Sequence, residues 1–496
     1  MTTDDTSSTP EPVRPPAAGR DPEQDYPDPR TDVQRQDDGG IAAAQSAALT
    51  DTGEDPHGRI NAMIDNIRAN RLATLDLELA DPPIQFDVFR RPDRPGQPDQ
   101  GDVILVARRE LLLRVPAGGP PDVAPGAAAD ETPAVWQRAH SLLVDELEYT
   151  QTSEDFPGVL PLRKYEVAAE RDRGVEQLVQ DRDRIRAAVP GAEVDLNYVV
   201  TAGHLVKADD YPRGAEAAHR GRRYPVNREV TVAVIDTGIN HHDRTDGWLT
   251  GIPETPGNVD PLDVFPVPRD GLLDLSAGHG TFVAGVVEQV APAAAIVVYR
   301  EVDTEGMGET YDIARAIIRA AEDGADIINA SLGTMTVDDL PPLTFTTALE
   351  TVQGDHPDVL IVASAGNMGQ ETPMFPAAMK GVVGVGALAA DLTPAPWSNH
   401  GFWVNCSAVG IGIISTFVEG YEPHNDAKGK VVTELFGPDA WAIWSGTSFS
   451  APQIAGQVAK LCQMHNVRPA VALGQLLAGK PILPGYGSVV RILPGT

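Results

Sequence analysis

A serine in a turn of small residues opens the stretch of this chain that points most directly to chemistry. Residues 446–452 read GTSFSAP, and Ile454 and Val458 follow at the spacing of one helical face. Pro452 suits the first turn of such a helix, because its missing N–H costs little there. Ser448 is therefore predicted at a helix N-terminus, where unpaired N–H groups favour developing negative charge. Taken alone, the motif is more often an ordinary helix cap.

Three further residues, all earlier in the chain, favour a catalytic role for Ser448 over a simple helix cap. Asp236 directly follows the apolar run TVAVI, His279 lies in GHGTFVAG, and Asn367 ends ASAGN. Each of them alone is typical of a turn or a helix start. Together with Ser448, however, they supply an acid, an imidazole, an amide and a hydroxyl, each at a strand end or a helix start. These are the groups that nucleophilic catalysis and stabilisation of an oxyanion require.

The elements that must position these residues can be predicted from periodicity. From residue 230 onward, short apolar runs alternate with segments of helical spacing. The predicted strands are 231–235, 296–299, 326–329, 359–362 and 382–386, and the predicted helices are 279–290, 310–323, 343–353 and 448–464. Continuous apolar strands that alternate with helices indicate an α/β fold, with a parallel sheet covered on both faces. In such sheets, sites form at the carboxyl ends of the strands.

Five segments carry a resemblance to a known family. VIDTG, GHGTFVAG, NASLGT, ASAGN and GTSFSAP occur in this order, and they resemble the signature blocks of the subtilisin-like serine proteases (subtilases, peptidase family S8). The resemblance covers about residues 230–496. It implies a serine endopeptidase that hydrolyses peptide bonds through an acyl-enzyme. The alternative is a catalytically silent peptide-binding scaffold on the same fold.

The resemblance also implies a role for each residue. Ser448 resembles the nucleophile, His279 its general base and later acid, and Asp236 the group that orients the imidazole. The side chain of Asn367 and the N–H of Ser448 resemble the oxyanion hole. A peptide substrate would pair as a strand with a first and a second substrate-pairing segment. These are Gly306, Met307 and Gly308 for the first, and Ser331, Leu332 and Gly333 for the second.

The chain departs from the family pattern near these motifs. Phe282 replaces a histidine that often stands three residues after the catalytic one, and it should be tolerated because it faces packing. The segment between His279 and Ala291 is short and lacks the loop with which family members hold calcium. We therefore expect no metal site and no other cofactor. The compact stretch 367–376, in which Met368 follows the oxyanion residue, implies an altered pocket that favours apolar residues.

The sequence divides the chain into four parts. Residues 1–57 are rich in Pro, Asp and Gln, and they are expected to form a disordered acidic tail. Residues 58–205 predict a small α+β domain of ferredoxin-like type, 206–228 an exposed linker, and 229–496 the catalytic domain. The small domain's predicted strands are 102–107, 111–115, 162–168 and 194–200, and its predicted helices are 60–73, 135–147 and 175–188.

The small domain occupies the place of a subtilase propeptide. Propeptides of that family inhibit the enzyme with an extended segment that lies in the cleft, and residues 201–225 could act in this way and be cleaved there. The alternative is a permanent module that regulates the enzyme or recruits substrates. The N-terminal domain is thus expected to be an intramolecular inhibitor or such a module, and a protein or peptide is the expected substrate.

Composition excludes some other partners. The 496 residues carry a net charge of −32 at pH 7, which argues against nucleic acid or an anionic membrane as a partner. Two cysteines, Cys406 and Cys462, give no disulfide framework. We find no basic segment followed by an apolar one near Met1, and no run of about 18 apolar residues. The expected location is therefore the cytoplasm, with export by a non-classical route left open.

Overall fold

The computed structural model describes residues 83–91, 102–115, 131–152, 160–202, 211–266, 269–425 and 431–495, together with four residues of a helical segment, Ile64, Ile67, Arg68 and Arg71. The predicted tail 1–57 and most of the predicted helix 60–73 lie outside these residues. Among the helices of the described ranges, none has the length and hydropathy that a membrane crossing requires.

The described strands fall into two groups. Those before residue 227 are β1 (Phe86–Arg90), β2 (Val103–Arg114), β3 (Tyr149–Gln151), β4 (Leu162–Val167), β5 (Val194–Ala202) and β6 (Arg213–Gly214). Those after it are β7 (Thr231–Asp236), β8 (Ala295–Arg300), β9 (Met307–Glu309), β10 (Ile327–Ala330), β11 (Leu332–Gly333), β12 (Leu360–Ser364), β13 (Val382–Leu388), β14 (Cys406–Val409), β15 (Ile413–Thr416), β16 (Gly420–Asn425), β17 (Val431–Phe436), β18 (Trp441–Trp444), β19 (Ile482–Leu483) and β20 (Gly487–Val490).

Seven α-helices are described in the same ranges. They are α1 (Glu131–Ser141), α2 (Val175–Ala188), α3 (His279–Val290), α4 (Thr310–Glu322), α5 (Leu343–Asp355), α6 (Thr447–His465) and α7 (Pro469–Leu477). The four helices predicted for the catalytic region correspond to α3, α4, α5 and α6, with ends within two residues of the prediction.

The region after residue 227, which we call the catalytic region after its predicted function, is built on one large sheet with the strand order β19-β20-β14-β13-β12-β10-β7-β8. Every neighbouring pair is parallel except β19 and β20. Helices α4 and α5 share an apolar core with one face of the sheet, and α3 and α6 share a second core with the other face. The inner strands β7, β10, β12, β13 and β14 are buried on both sides, which is why they read as continuous apolar runs. The predicted α/β fold is confirmed.

The region before residue 203 forms a smaller antiparallel sheet. Its strands run β5-β2-β4-β3, with β1 also paired to β2, and helices α1 and α2 connect them in the strand–helix–strand–strand–helix–strand order of ferredoxin-like domains. The strands predicted at 102–107 and 111–115 are in fact one strand, β2. Its pairing with β5 shifts register between Val106 and Leu111, and Arg109 there has a φ of 66°. No predicted strand corresponds to β3, which is only three residues long.

The two regions are joined through β5. The end of this strand pairs antiparallel with β9 on one side and with β11 on the other. Ala202 lies opposite Leu332, and Val200 lies opposite Gly308. The stretch predicted as an exposed linker also contributes a strand, because β6 pairs with β18. Residues 203–210, which belong to the stretch 201–225 predicted to lie in the cleft, are outside the described residues.

Candidate active site

Asp236 and His279 form a buried pair. Asp236 is the last residue of β7 and His279 the first of α3, so the sheet edge and the helix start bring them together. Nδ1 of His279 lies 2.7 Å from Oδ1 of Asp236, and neither side chain is exposed to solvent. An ionised carboxylate can only accept a hydrogen bond, so Nδ1 carries the proton. The other nitrogen, Nε2, is then the basic one, which is the tautomer that a general base needs.

Aromatic rings surround the imidazole. Trp444 meets His279 edge-on with 5.6 Å between ring centroids, and Phe449 lies 5.4 Å away. Phe282 is fully buried and packs against Phe449 with 4.4 Å between centroids. These rings restrict the orientation of the imidazole and keep water from its faces.

Asp260 was not among the predicted site residues, although it fixes the residues next to Asp236 and His279 in the chain. Its carboxylate accepts hydrogen bonds from Gly278 N (2.9 Å), Thr237 Oγ1 (3.0 Å) and Leu262 N (3.1 Å). Thr237 Oγ1 in turn accepts from Gly280 N at 3.0 Å. Burial raises the pKa of Asp260 to about 6. It stands in a Pro- and Gly-rich segment with no periodic pattern, so no signal in the sequence marks it.

Ser448 is the second residue of α6 and is almost fully buried. Its Oγ donates to the backbone oxygen of Ser331 at 3.3 Å, and Oγ of Ser331 donates to the backbone oxygen of Ser448 at 2.8 Å. In the part of the chain that the structure describes, Nε2 of His279 has no hydrogen-bond partner. The serine hydroxyl must therefore leave Ser331 before it can donate to the imidazole. Such contacts are often completed only when substrate binds.

Asn367 is held against the start of α6. Its Oδ1 accepts from Thr447 N at 2.9 Å and from Thr447 Oγ1 at 2.8 Å, an orientation that the hydrogen bonds themselves assign. Gly366 N donates to Thr447 Oγ1 at 3.0 Å and fixes the preceding residue as well. Since Oδ1 is occupied, the amide group Nδ2 is the part of this side chain that can donate to a developing oxyanion beside Ser448.

The two predicted substrate-pairing segments lie on either side of the end of β5. Thr201 is opposite Gly333 in the second segment and opposite Met307 in the first. The N–H of Ala202 donates to Gly306 O at 2.8 Å. The small N-terminal domain therefore makes, with its own main chain, the strand pairing that was predicted for a peptide substrate.

The same strand caps two helices of the catalytic region. Oδ1 of Asn197 accepts from Thr310 Oγ1 and Tyr311 N, both at 3.2 Å, at the start of α4. Oδ2 of Asp195 accepts from Leu343 N at 3.1 Å at the start of α5. Burial raises the pKa of Asp195. Each side chain satisfies N–H groups that a helix N-terminus leaves without an intrahelical partner.

The described residues contain neither a group of side chains that could bind a metal ion nor a reactive thiol. Within those ranges, no three His, Cys, Asp or Glu side chains are grouped so that they could hold a metal ion. Cys406 and Cys462 are buried free thiols. Burial raises the pKa of Cys406 to about 12 and that of Cys462 to about 11, so neither is a thiolate at neutral pH.

Comparison with known proteins gives matches in the same region. The subtilase family model matches residues 227–477. The thermophilic serine proteinase of Bacillus sp. (strain AK1) is 32% identical over 260 residues, which cover 49% of this chain and 55% of that protein. Halolysin of Haloferax mediterranei is 30% identical over 254 residues, covering 49% and 43%. The chain thus spans about half the length of these relatives.

One further relative extends the similarity upstream. The thermostable alkaline protease of Halalkalibacterium halodurans is 24% identical over 387 residues, which cover 74% of this chain and 92% of that protein. A match of that extent cannot be contained in residues 227–496, so it includes part of the N-terminal region.

Proposed function

Because the chain belongs to the subtilase family, we propose that it is a serine endopeptidase. The observation that carries the proposal is the buried hydrogen bond of 2.7 Å between Asp236 and His279, with Ser448 at the start of the helix that packs against α3. A carboxylate, an imidazole with a basic Nε2 and a hydroxyl at a helix N-terminus form the combination that acyl transfer requires.

In the first step, Oγ of Ser448 attacks the carbonyl carbon of the peptide bond as Nε2 of His279 takes the hydroxyl proton. The carbonyl electrons move to oxygen, and Nδ2 of Asn367 and the N–H of Ser448 donate to that oxyanion. The tetrahedral intermediate then collapses, the C–N bond breaks, and the leaving amine takes the proton from His279. Asp236 stabilises the imidazolium throughout without itself being protonated.

In the second step, a water molecule attacks the acyl-enzyme. Nε2 of His279 now takes a proton from the water, and a second oxyanion forms at the same donors. When this intermediate collapses, the C–O bond to Ser448 breaks, and the proton returns to its Oγ. The peptide acid leaves and the free enzyme is restored.

We further propose that the N-terminal domain restrains this activity from within the chain. The support is the position of β5 between β9 and β11, where its main chain makes the bonds that a substrate would make. The helix caps formed by Asp195 and Asn197 add contacts that the domain would lose on leaving. Arg71, almost fully buried, pairs with Asp303 (2.7 Å) and Glu305 (2.9 Å) just before the first substrate-pairing segment.

A fluorophosphonate probe tests the enzymatic proposal. We expect the probe to label Ser448, and the Ser448→Ala variant to lose both labelling and peptidase activity, by about a factor of a million if the triad acts as a unit. Ser450→Ala is the matched control, because Ser450 is a buried serine of the same helix that bonds Ala408 O instead. A folded wild-type protein that is not labelled after its N-terminal domain has been released would refute the proposal.

The second candidate is a peptide-binding scaffold without catalysis. It is favoured by one observation, the hydrogen bond of Ser448 to Ser331 rather than to His279. Peptides that bind the folded protein and are recovered uncut, with no labelling of Ser448, would support this candidate over the enzyme.

A further inference from the structure

The end of β5 marks where a substrate's reacting residue must lie. Ala202, its last residue, is opposite Leu332, and the strand runs antiparallel to the second substrate-pairing segment, toward Ser331. The backbone oxygen of Ser331 accepts a hydrogen bond from Oγ of Ser448 at 3.3 Å. A peptide that binds along the same line therefore brings its next residue beside Ser448. We call this residue, which precedes the bond to be cut, the acyl residue.

The surroundings of its carbonyl decide where the side chain of the acyl residue goes. The carbonyl must lie between Ser448 and Asn367, and the backbone is held along the second substrate-pairing segment. The side chain is then directed into the space between that segment and the stretch that ends at Asn367. Gly333 belongs to that segment, Gly366 directly precedes Asn367, and a Cβ atom on either glycine would meet the same side chain. Neither glycine has a side chain to fill the space.

Met374 fills this space. A Cβ atom on Gly333 would lie 2.6 Å from Cγ of Met374 and 3.0 Å from its Sδ. A Cβ atom on Gly366 would lie 2.8 Å from Cε of the same side chain. One methionine thus spans the gap from glycine to glycine, and it is only 4% exposed. A large side chain could enter only if Met374 moved out.

The backbone next to Met374 is fixed. Phe375 N donates to Thr334 O at 2.8 Å, and Thr334 N donates to Phe375 O at 2.9 Å. Phe375 is itself buried, with 2% of its surface exposed. These bonds tie Met374 to the residue that follows Gly333, so the methionine cannot withdraw as part of a mobile loop.

We propose that Met374 restricts the acyl residue to glycine or alanine, so that the substrates are peptides with one of these residues immediately before the cleaved bond. This inference rests on the proposed peptidase function and names its substrate class. The sequence predicted a pocket that favours apolar residues. The pocket is apolar, but the side chain of Met374 occupies most of its volume, so only small apolar residues fit. Tight packing does not admit a further large side chain without displacing the methionine.

The test uses the full chain and fluorogenic peptides that differ only in the acyl residue: Gly, Ala, Leu or Phe. The peptides are assayed with the wild type and with the double variant Asp195→Ala/Asn197→Ala, in which the small domain is bound less firmly to the catalytic region. We expect kcat/KM for Ala to exceed that for Phe by about a hundredfold or more, since each methylene group that cannot be accommodated costs about tenfold or more. Met374→Ala, and Met374→Val as a milder opening, should raise kcat/KM for Leu and Phe at least tenfold while that for Ala stays within a few-fold.

A matched control is Met379→Ala. Met379 is another buried methionine of the same core, and none of its atoms is among those nearest to Gly333 or Gly366. This variant should leave the ratio of kcat/KM for the Ala peptide to kcat/KM for the Phe peptide unchanged.

A second measurement needs no catalysis: Gly333→Ala should lower the midpoint of thermal unfolding in the wild type, and lower it less when Met374 is alanine. Equal cleavage of Ala and Phe peptides by the wild type would overturn this inference and leave the peptidase function standing. Failure to cleave any of the peptides after the N-terminal domain has been released, with no labelling of Ser448, would overturn both.

Discussion

The catalytic pair and the face between the two domains both bury carboxylates, but they do so in different ways. Asp236 meets one partner side chain, His279, and both belong to the catalytic domain. At the face between the domains, Lys164 of the small domain lies between Glu110 of the same domain, at 3.5 Å, and Glu309 of the catalytic domain. Asn197 donates to both carboxylates at 2.8 Å.

This difference separates two kinds of stability. The hydrogen bond of the catalytic pair requires only the catalytic domain, so it should survive departure of the small domain. The cluster around Lys164 exists only while the domains are docked, because its members come from both. Changes at the first site should therefore alter the rate of chemistry, and changes at the second should alter how firmly the cleft is covered. The following experiments test this distinction.

The largest effect is expected at the catalytic pair. Asp236→Asn keeps the size of the side chain but favours the wrong tautomer of His279, and kcat should fall by about 10⁴. Steady-state kinetics with the fluorogenic peptide that has alanine as its acyl residue measure this fall in kcat. The midpoint of thermal unfolding should change little by comparison. A loss of less than tenfold would mean that Asp236 does not support the imidazole in catalysis.

The oxyanion donor comes next. Asn367→Ala removes Nδ2, and kcat should fall by about 10² to 10³ with KM nearly unchanged, because the donor acts on charge that develops only in the transition state. A variant that raised KM and kept kcat would instead assign Asn367 to binding of the ground state.

The face between the domains should respond to pH. Burial, and after it the charge of Glu309, raises the pKa of Glu110 from its ordinary 4.5 to about 7. The folded, docked chain therefore keeps a proton that the unfolded chain releases. The contribution of Glu110 to the stability of the docked chain is complete below pH 4.5 and is lost as the pH rises through about 7. In Glu110→Gln, which does not titrate, this loss should be absent.

Thermal unfolding of full-length Ser448→Ala protein measures the pH effect, with and without Glu110→Gln. The stability of the glutamine variant relative to its parent should increase between pH 4.5 and pH 7.5, by about tenfold or more in the equilibrium constant. A difference that stays constant over this range would show that Glu110 ionises alike in the folded and unfolded chain.

The smallest effect is expected for the helix caps. Asp195→Ala and Asn197→Ala each leave a helix N–H group without its cap, and loss of the cap should lower the free energy of unfolding by about 1 kcal/mol. Asn197→Ala also removes the donor to Glu110 and Glu309, so its effect should be the larger of the two. The double variant should also hydrolyse peptides faster than the wild type, because β5 is held less firmly in the cleft. Glu170→Ala, at an exposed position of the same domain, is the control. Equal activity of the double variant and the wild type would argue against restraint by this domain.

Much of the catalytic region could be predicted from local pattern. The strands β7, β10, β12 and β13 are runs of apolar residues buried in the sheet, β8 is a partly buried apolar run at its edge, and helices α3 to α6 have one apolar face each. Burial on both faces gives a strand a signal that needs no knowledge of its neighbours. The merging of two predicted strands into β2 was not predictable in this way, since Arg109 adopts a positive φ within it, where a break was the simpler expectation.

The candidate reactive groups and the elements that carry them could be identified from the amino-acid sequence: Asp236 at a strand end, His279 and Ser448 at helix starts, and Asn367 after a strand. The side chains that lie next to these groups are known only from the folded chain. The hydrogen bonds of Asp260, the pairing of β5 with β9 and β11, and the position of Met374 beside Gly333 all join residues far apart in the chain. Local pattern carries no record of such contacts, because they arise only when the packed core fixes which segments meet.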